Sequence, residues 1–183
     1  MSVIVEQIIS PQAGCWESDS GNLKVENMEP LLELWLSADS QSISVGRRAT
    51  LRICAKVGIS ENECDRLELA LGEALANAVV HGSSAASWPL NDSGVQITAW
   101  PYSDFMIVQI SNTGPRADLP LPPYQMPEPG EGMTHGRGLS LMEALTDAMI
   151  LCMRDCDKGG ASTFLIKRIR KPREGTREFS ELG

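Results

Sequence analysis

The 183-residue sequence contains no run of the roughly 20 apolar residues that a membrane-crossing helix needs. Its opening, MSVIVEQIIS, has no basic start and places Glu6 inside the short apolar stretch, which argues against a secretory signal and for a cytoplasmic protein. Positive charge is scarce: 16 Lys and Arg face 24 Asp and Glu, for a formal net charge of -8. A broad nucleic-acid surface draws on clustered Lys and Arg, so proteins or small molecules are the expected partners. The five cysteines are odd in number and form no CxxC pair, which argues against a disulfide framework or a zinc site. Cys54, Cys64 and Cys152 lie among apolar residues and read as reduced core cysteines. No internal repeat is visible.

Apolar material suffices for one core. At 42% hydrophobic and 22% charged, the composition is that of an ordinary globular domain. Residues 1–30 carry Ser, Gly, Asn and acids with little apolar payload and are expected to form a loose arm, possible edge-strand pairing of VIVEQII aside. LLELWLS, residues 31–37, puts Leu32, Leu34 and Leu36 on one face of a strand. Asp39 or Ser40 offers an N-cap for a helix through VGRRATLRICAKVG, which Gly58 can end. Ser60 to Glu63, SENE, has the capping-box pattern and opens a second helix from Glu61 to about Val80, with Gly82 as its stop.

GVQITAW (94–100) and FMIVQIS (105–111) read as strands around a PYSD turn. Residues 115–136 hold six prolines and can form neither helix nor inner strand. RGLSLMEALTD (137–147) reads as a short helix, and AMILCMR (148–154) and ASTFLIKRI (161–169) as closing strands. The basic stretch KRIRKPREGTR (167–177) is expected to be a solvated tail rather than a docking patch. The pattern implies an α+β fold, a two-layer sandwich whose mixed, mostly antiparallel sheet carries helices on one face. Its boundaries are 31–170, with a tail at 171–183.

The second helix poses the functional question. Within ELALGEALANAVVHG (68–82), Glu73, Asn77 and His81 fall in an arc of roughly 80° at about 100° per residue. Leu67, Leu71, Ala74, Leu75, Ala78 and Val79 take the opposite side. Leu69 and Val80 flank the polar line, so a lined cavity is expected in front of it. A carboxylate in a cavity is costly without a partner, which points to a use, although mutual or loop hydrogen bonds would satisfy the same line. Two glycine-centred places lie downstream. SNTGP (111–115) ends a strand with an amide followed by Gly114, which lets backbone approach a planar ligand. HGRGL (135–139) sets Gly136 and Gly138 where a loop becomes a helix, and the free N–H groups and positive end of a helix suit phosphate.

These motifs, in this order, resemble those of the GHKL superfamily of ATPases, and most closely its anti-sigma-factor serine/threonine kinases, over about Leu31 to Arg170. ELALGEALANAVVHG is similar to the N box, SNTGP to the first glycine box and HGRGLSLMEALTD to the glycine box that closes the lid. The resemblance implies a Bergerat-type fold with ATP and Mg²⁺ as cofactors. Carried over by position, Asn77 would ligate Mg²⁺ and Glu73 would take the proton of an attacking hydroxyl. Asn112, Gly114, Gly136, Arg137, Gly138, Leu139 and Thr163 would line the nucleotide, with His81 and Gly82 in support. The chain departs from the family at Asn112, which stands for an Asp that accepts from the adenine amino group. It departs again at Arg116, where a Gly is frequent, and in GGASTFLI, where Gly-Thr is usual, so that Ser162 or Thr163 would supply the hydroxyl near the adenine. The proline-rich stretch would be the ATP lid, with Gly130, Gly132 and Gly136 as its flexible points.

The implied function is a protein serine/threonine kinase that holds a sigma factor or sigma-like protein and phosphorylates a STAS-type anti-sigma-factor antagonist. The resemblance also implies a homodimer, while the negative net charge and the lack of a membrane-spanning run argue against direct nucleic-acid or membrane contact. Arg47, Arg48 and Arg52 on the first helix would be the docking face. The competing reading is a catalytically weak domain that regulates by holding partners. A sensor histidine kinase is disfavoured because no His precedes Leu31, and a gyrase- or chaperone-like ATPase because a transducer domain would need a longer chain.

Overall fold

The computed structural model describes residues 29–82, 94–112, 137–153 and 160–169. The expected arm, the loop motifs around Gly114 and Gly136, the proline-rich segment and the tail lie outside the described residues. The elements are β1 (Leu32–Ser37), α1 (Ser40–Lys56), α2 (Glu61–Gly82), β2 (Gly94–Tyr102), β3 (Phe105–Asn112), α3 (Arg137–Leu145), β4 (Ala148–Met153) and β5 (Ala161–Arg168). Their order is the expected one. The five strands form one sheet in the order β1-β2-β3-β5-β4, and every pairing is antiparallel, a narrower arrangement than the mixed sheet expected. After α3 the chain enters at the outer edge as β4, and β5 returns between β4 and β3.

Local chemistry sets the helix ends. Asp39 is the N-cap of α1, and its Oδ1 accepts from the Ser42 N–H at 2.9 Å. Hydrogen bonds from the Ser37 hydroxyl and then from the Ser42 N–H hold the Asp39 carboxyl below its ordinary pKa. Gly58, at φ +86, takes the left-handed conformation that ends the helix. The start of α2 differs from the reciprocal box expected. The Glu63 N–H donates to the Ser60 carbonyl at 3.0 Å, while the Glu63 carboxylate pairs with Lys167.

The core lies between the helices and one face of the sheet. Leu67, Leu71, Ala74 and Leu75 of α2 are at most 1% exposed and pack with Val95, Ile97 and Ala99 of β2, Met106, Val108 and Ile110 of β3, and Leu165 of β5. Each fully buried Leu contributes about 1.5–3 kcal/mol, so this stripe fixes α2 to the sheet. At Gly46 an added Cβ would stand 2.5 Å from Ile97 Cδ1 and 3.2 Å from Leu75 Cδ1, so the missing side chain lets α1 settle onto both neighbours. Cys54, Cys64 and Cys152 are free, as expected. Burial pushes the Cys54 thiol up to about 12, and its Sγ lies 3.7 Å from Met106 Sδ. The other sheet face carries a second buried cluster, Phe105, Ile107, Phe164 and Ile166. No helix among the described residues is long and apolar enough to cross a membrane.

One expectation is corrected here. Lys167 does not open a solvated tail. It belongs to β5, whose alternation turns it toward the helix layer, and its side chain is 5% exposed. Its Nζ pairs with the Glu63 carboxylate, lies 3.8 Å from Asp147 Oδ2 and donates to the Leu145 carbonyl at 3.2 Å. Arg168, one residue on, is exposed and sits 5.2 Å from the centroid of the Phe105 ring. Removing the buried Lys167 cation leaves the partly exposed carboxylates of Glu63 and Asp147 without their charge partner. In urea unfolding, Lys167→Ala is therefore expected to cost about 2–4 kcal/mol, against about 1 kcal/mol or less for Arg168→Ala. Equal losses would refute this placement of Lys167.

Candidate functional site

Helix α3 runs antiparallel to α2, and charge at its C-terminal end holds it there. The last carbonyls of a helix have no partner within it and carry the negative end of its dipole, so cations suit them. Arg66 Nη2 donates to the Ala144 carbonyl at 2.8 Å, and Lys167 Nζ to the Leu145 carbonyl. Thr146 Oγ1 takes the Met142 carbonyl at 2.7 Å, and Met142 is fully buried between the helices and the sheet. With that end fixed, the first turn of α3 is delivered to the middle of α2.

There it meets the polar line. A Cβ built on Gly138 would lie 2.8 Å from Glu73 Oε2 and 3.5 Å from Asn77 Nδ2. Only a residue without a side chain permits this approach while the carboxylate stays where it is. The structure thus brings Glu73, Asn77 and Gly138 together. Glu73 and Asn77 are partly buried, Leu139 packs into the core and Arg137 is exposed at the first position of α3. Thr163 of β5, 8% exposed, faces the helix layer between Ile110 and Leu151. His81 and Gly82 close α2. Gly114 and Gly136 lie outside the described residues.

Two expectations change. Leu69 and Val80 do not wall a cavity: they are 57% and 60% exposed. Arg47 is not part of a free docking face, because it forms an ion pair with Glu68 that ties α1 to α2. Arg48 and Arg52 remain exposed. Asn112 is buried, 5% exposed, and its amide bonds to backbone at each end. Its Oδ1 accepts from the Ala161 N–H at 2.7 Å, and its Nδ2 donates to the Ala78 carbonyl at 3.3 Å.

The sequence pattern did not single out Arg66 and Lys167, which anchor α3, or the buried network that Gln109 and Ser111 form with Ser162, one of the two hydroxyls expected near the base. In that network the two hydroxyls lie 2.7 Å apart and Gln109 Nε2 reaches Ser111 Oγ at 3.0 Å. The available signal was the alternation of β3 and β5, which places polar residues at matched positions of paired strands.

The chain is similar to known proteins. Residues 36–167 match the histidine kinase-like ATPase domain. The serine-protein kinase RsbW of Listeria monocytogenes serotype 4a is 29% identical over 150 residues, which cover 79% of this chain and 90% of that protein. The serine-protein kinase RsbW of Oceanobacillus iheyensis is 30% identical over 123 residues, 63% of this chain and 75% of that one. The crystal structure of the RsbU and RsbW domains of a Mycobacterium tuberculosis protein shares the fold, with a TM-score of 0.54 at 21% identity. That match covers 79% of this chain and 33% of the longer one. A family match over most of the foldable chain, on a fold that joins the two helical motifs in space, leads to one conclusion: the chain belongs to the histidine kinase-like ATPase family, in the group that holds the RsbW serine-protein kinases.

Proposed function

We propose that the chain is a cytoplasmic anti-sigma-type regulator and a Mg²⁺- and ATP-dependent protein serine/threonine kinase that phosphorylates a hydroxyl on a STAS-type antagonist. The meeting of Gly138 with Glu73 and Asn77 carries this reading, because it gathers a carboxylate, a side-chain amide and the start of a helix. The relatives' activity as serine-protein kinases supports the same reaction class.

Phosphoryl transfer asks mainly for positioning and charge compensation. The first N–H groups of α3 have no partner inside the helix and, with the helix dipole, favour phosphate oxygens. Glu73, beside them, is the group to accept the proton of the attacking hydroxyl. Asn77 offers a single hard oxygen, which suits Mg²⁺ already ligated by phosphate. Among the described residues no three His, Cys, Asp or Glu gather into a metal cage. Bound Mg²⁺ would supply neutralisation of phosphate charge. Gly114, Gly136, Arg137 and Leu139 would line the phosphates, and the Thr163 hydroxyl would lie toward the base. The proposed partners are a sigma factor or sigma-like protein and the antagonist, with the exposed Arg48 and Arg52 of α1 available to one of them, and the proposed state is a homodimer.

A partner-holding module without catalysis is the second reading, and the bonded amide of Asn112 favours it. Transfer of label from γ-³²P-ATP to a candidate antagonist separates the two, since ATP binding without transfer would support the module. Glu73→Gln is expected to lower transfer by at least about 100-fold with nucleotide affinity little changed, and undiminished transfer would remove Glu73 as the base. Gly138→Ala pushes only the flexible end of Glu73 and adds a better helix former. Stability should stay within about 1 kcal/mol of the parent while transfer falls at least about tenfold. Parental turnover in that variant would separate the Gly138 contact from the chemistry.

A further inference from the structure

Every helix among the described residues packs on one face of the sheet, yet the opposite face is buried as well. Side chains alternate along a strand, so Phe105, Ile107, Gln109 and Ser111 of β3 and Ser162, Phe164 and Ile166 of β5 point away from the helices. The four apolar residues among them are at most 9% exposed. An antiparallel sheet with one face left to water carries polar residues there, and side chains standing upright on it keep their tips wet. Burial also raises the Cys152 thiol, which packs against the same cluster from β4. Trp35, on this face of β1, is 61% exposed, so what covers the face lies over β3 and β5 and stops short of the β1 edge.

Strand direction narrows the choice of cover. The apolar residues fill one end of this face, where Phe105 lies opposite Tyr102 and Arg168, and Ile107 opposite Trp100 and Ile166. Gln109, Ser111 and Ser162 fill the other end. Segments 83–93, 113–136 and 154–159 meet the sheet at that polar end, beside Gly94, Asn112, Met153 and Ala161. At the apolar end stand the starts of two other segments: the Leu31 N–H bonds the Ala99 carbonyl as β1 begins, and the Ile169 N–H bonds the Asp104 carbonyl as β5 ends. Beyond Ile169 the large apolar residues are Phe179 and Leu182, set among charges. Before Glu29 the stretch VIVEQII offers Val3, Ile4, Val5, Ile8 and Ile9. Pro30 has no N–H to extend the edge ladder, which frees the chain to leave the sheet there. β3 and β5 lie two and three strands from β1, about 10–15 Å away, and residues 10–28 can span up to about 60 Å. We propose that residues 3–9 lie over Phe105, Ile107, Phe164 and Ile166, so that the chain's own arm covers the sheet face opposite the helices. A protein partner that uses this face must first displace the arm.

Nuclear Overhauser contacts in the full chain, measured without nucleotide, test this. Mixing labelled and unlabelled protein separates contacts within one chain from contacts between copies. Contacts within one chain from the methyl groups of Val3, Ile4, Val5, Ile8 and Ile9 to Ile107, Phe164 and Ile166 are expected. The proposal is overturned if Ile107, Phe164 and Ile166 instead contact Phe179 or Leu182, an internal segment or a second copy, or if the arm shows no contact with them. Unfolding in urea gives a second readout. The combined variant Val3→Ser, Ile4→Ser, Val5→Ser, Ile8→Ser and Ile9→Ser is expected to lower the folding equilibrium constant at least about tenfold. Phe179→Ser with Leu182→Ser is expected to leave it within about twofold of the parent. Parental stability of the arm variant, or a loss confined to the tail variant, overturns the cover. Should the arm variant fail to fold, the contacts in the parent protein decide.

Discussion

The close approach of α3 to α2 at Gly138 is the constraint on which the site depends. A helix beginning there with any side chain would have to displace the Glu73 carboxylate. Because Gly138 has none, the amide-rich start of α3 lies against an acid and an amide one turn apart. The helix dipole and the unpaired N–H groups of that first turn then face the same space as Glu73 and Asn77. Positive backbone and negative or oxygen-bearing side chains at one point form an arrangement that phosphate and a divalent cation can share.

The rest of the domain holds this arrangement still. Leu67, Leu71 and Leu75 lock α2 onto the sheet, so Glu73 and Asn77 stand on a rigid element. Arg66 and Lys167 hold the far end of α3 through its last carbonyls. Lys167 also binds Glu63 at the start of α2, so one buried cation joins both helices to β5. Fixing α3 at its C-terminal end leaves its N-terminal end, where the chain enters from the glycine-rich motif, at the chemical groups. The charged anchor and the site are thus opposite ends of one short helix.

Much of this was legible in the sequence for identifiable reasons. The alternating leucines of β1 and the apolar stripe of α2 carry the period of their own structure, and the element order followed from them. Glu73 and Asn77 were legible because a polar line on an apolar helix is costly without a purpose. The role of Lys167 was hidden by the charge run around it, since a solvated tail and a strand with one inward lysine share that composition. Leu69 and Val80 were placed on the correct face of α2, but a helical wheel carries no information about what lies in front of it. The bonds of Asn112 reach residues 34 and 49 positions away, and only the folded sheet brings those backbone groups to its amide.

The central claim is that a nucleotide and its metal occupy the space between Asn77 and the first turn of α3. The most direct measurement is a nuclear magnetic resonance titration of the protein with Mg²⁺ and a non-hydrolysable ATP analogue. The account predicts saturable shifts that are largest at the backbone amides of Gly138 and Leu139 and at the side-chain amide of Asn77. Saturable binding that leaves these three resonances unmoved while others shift would contradict it.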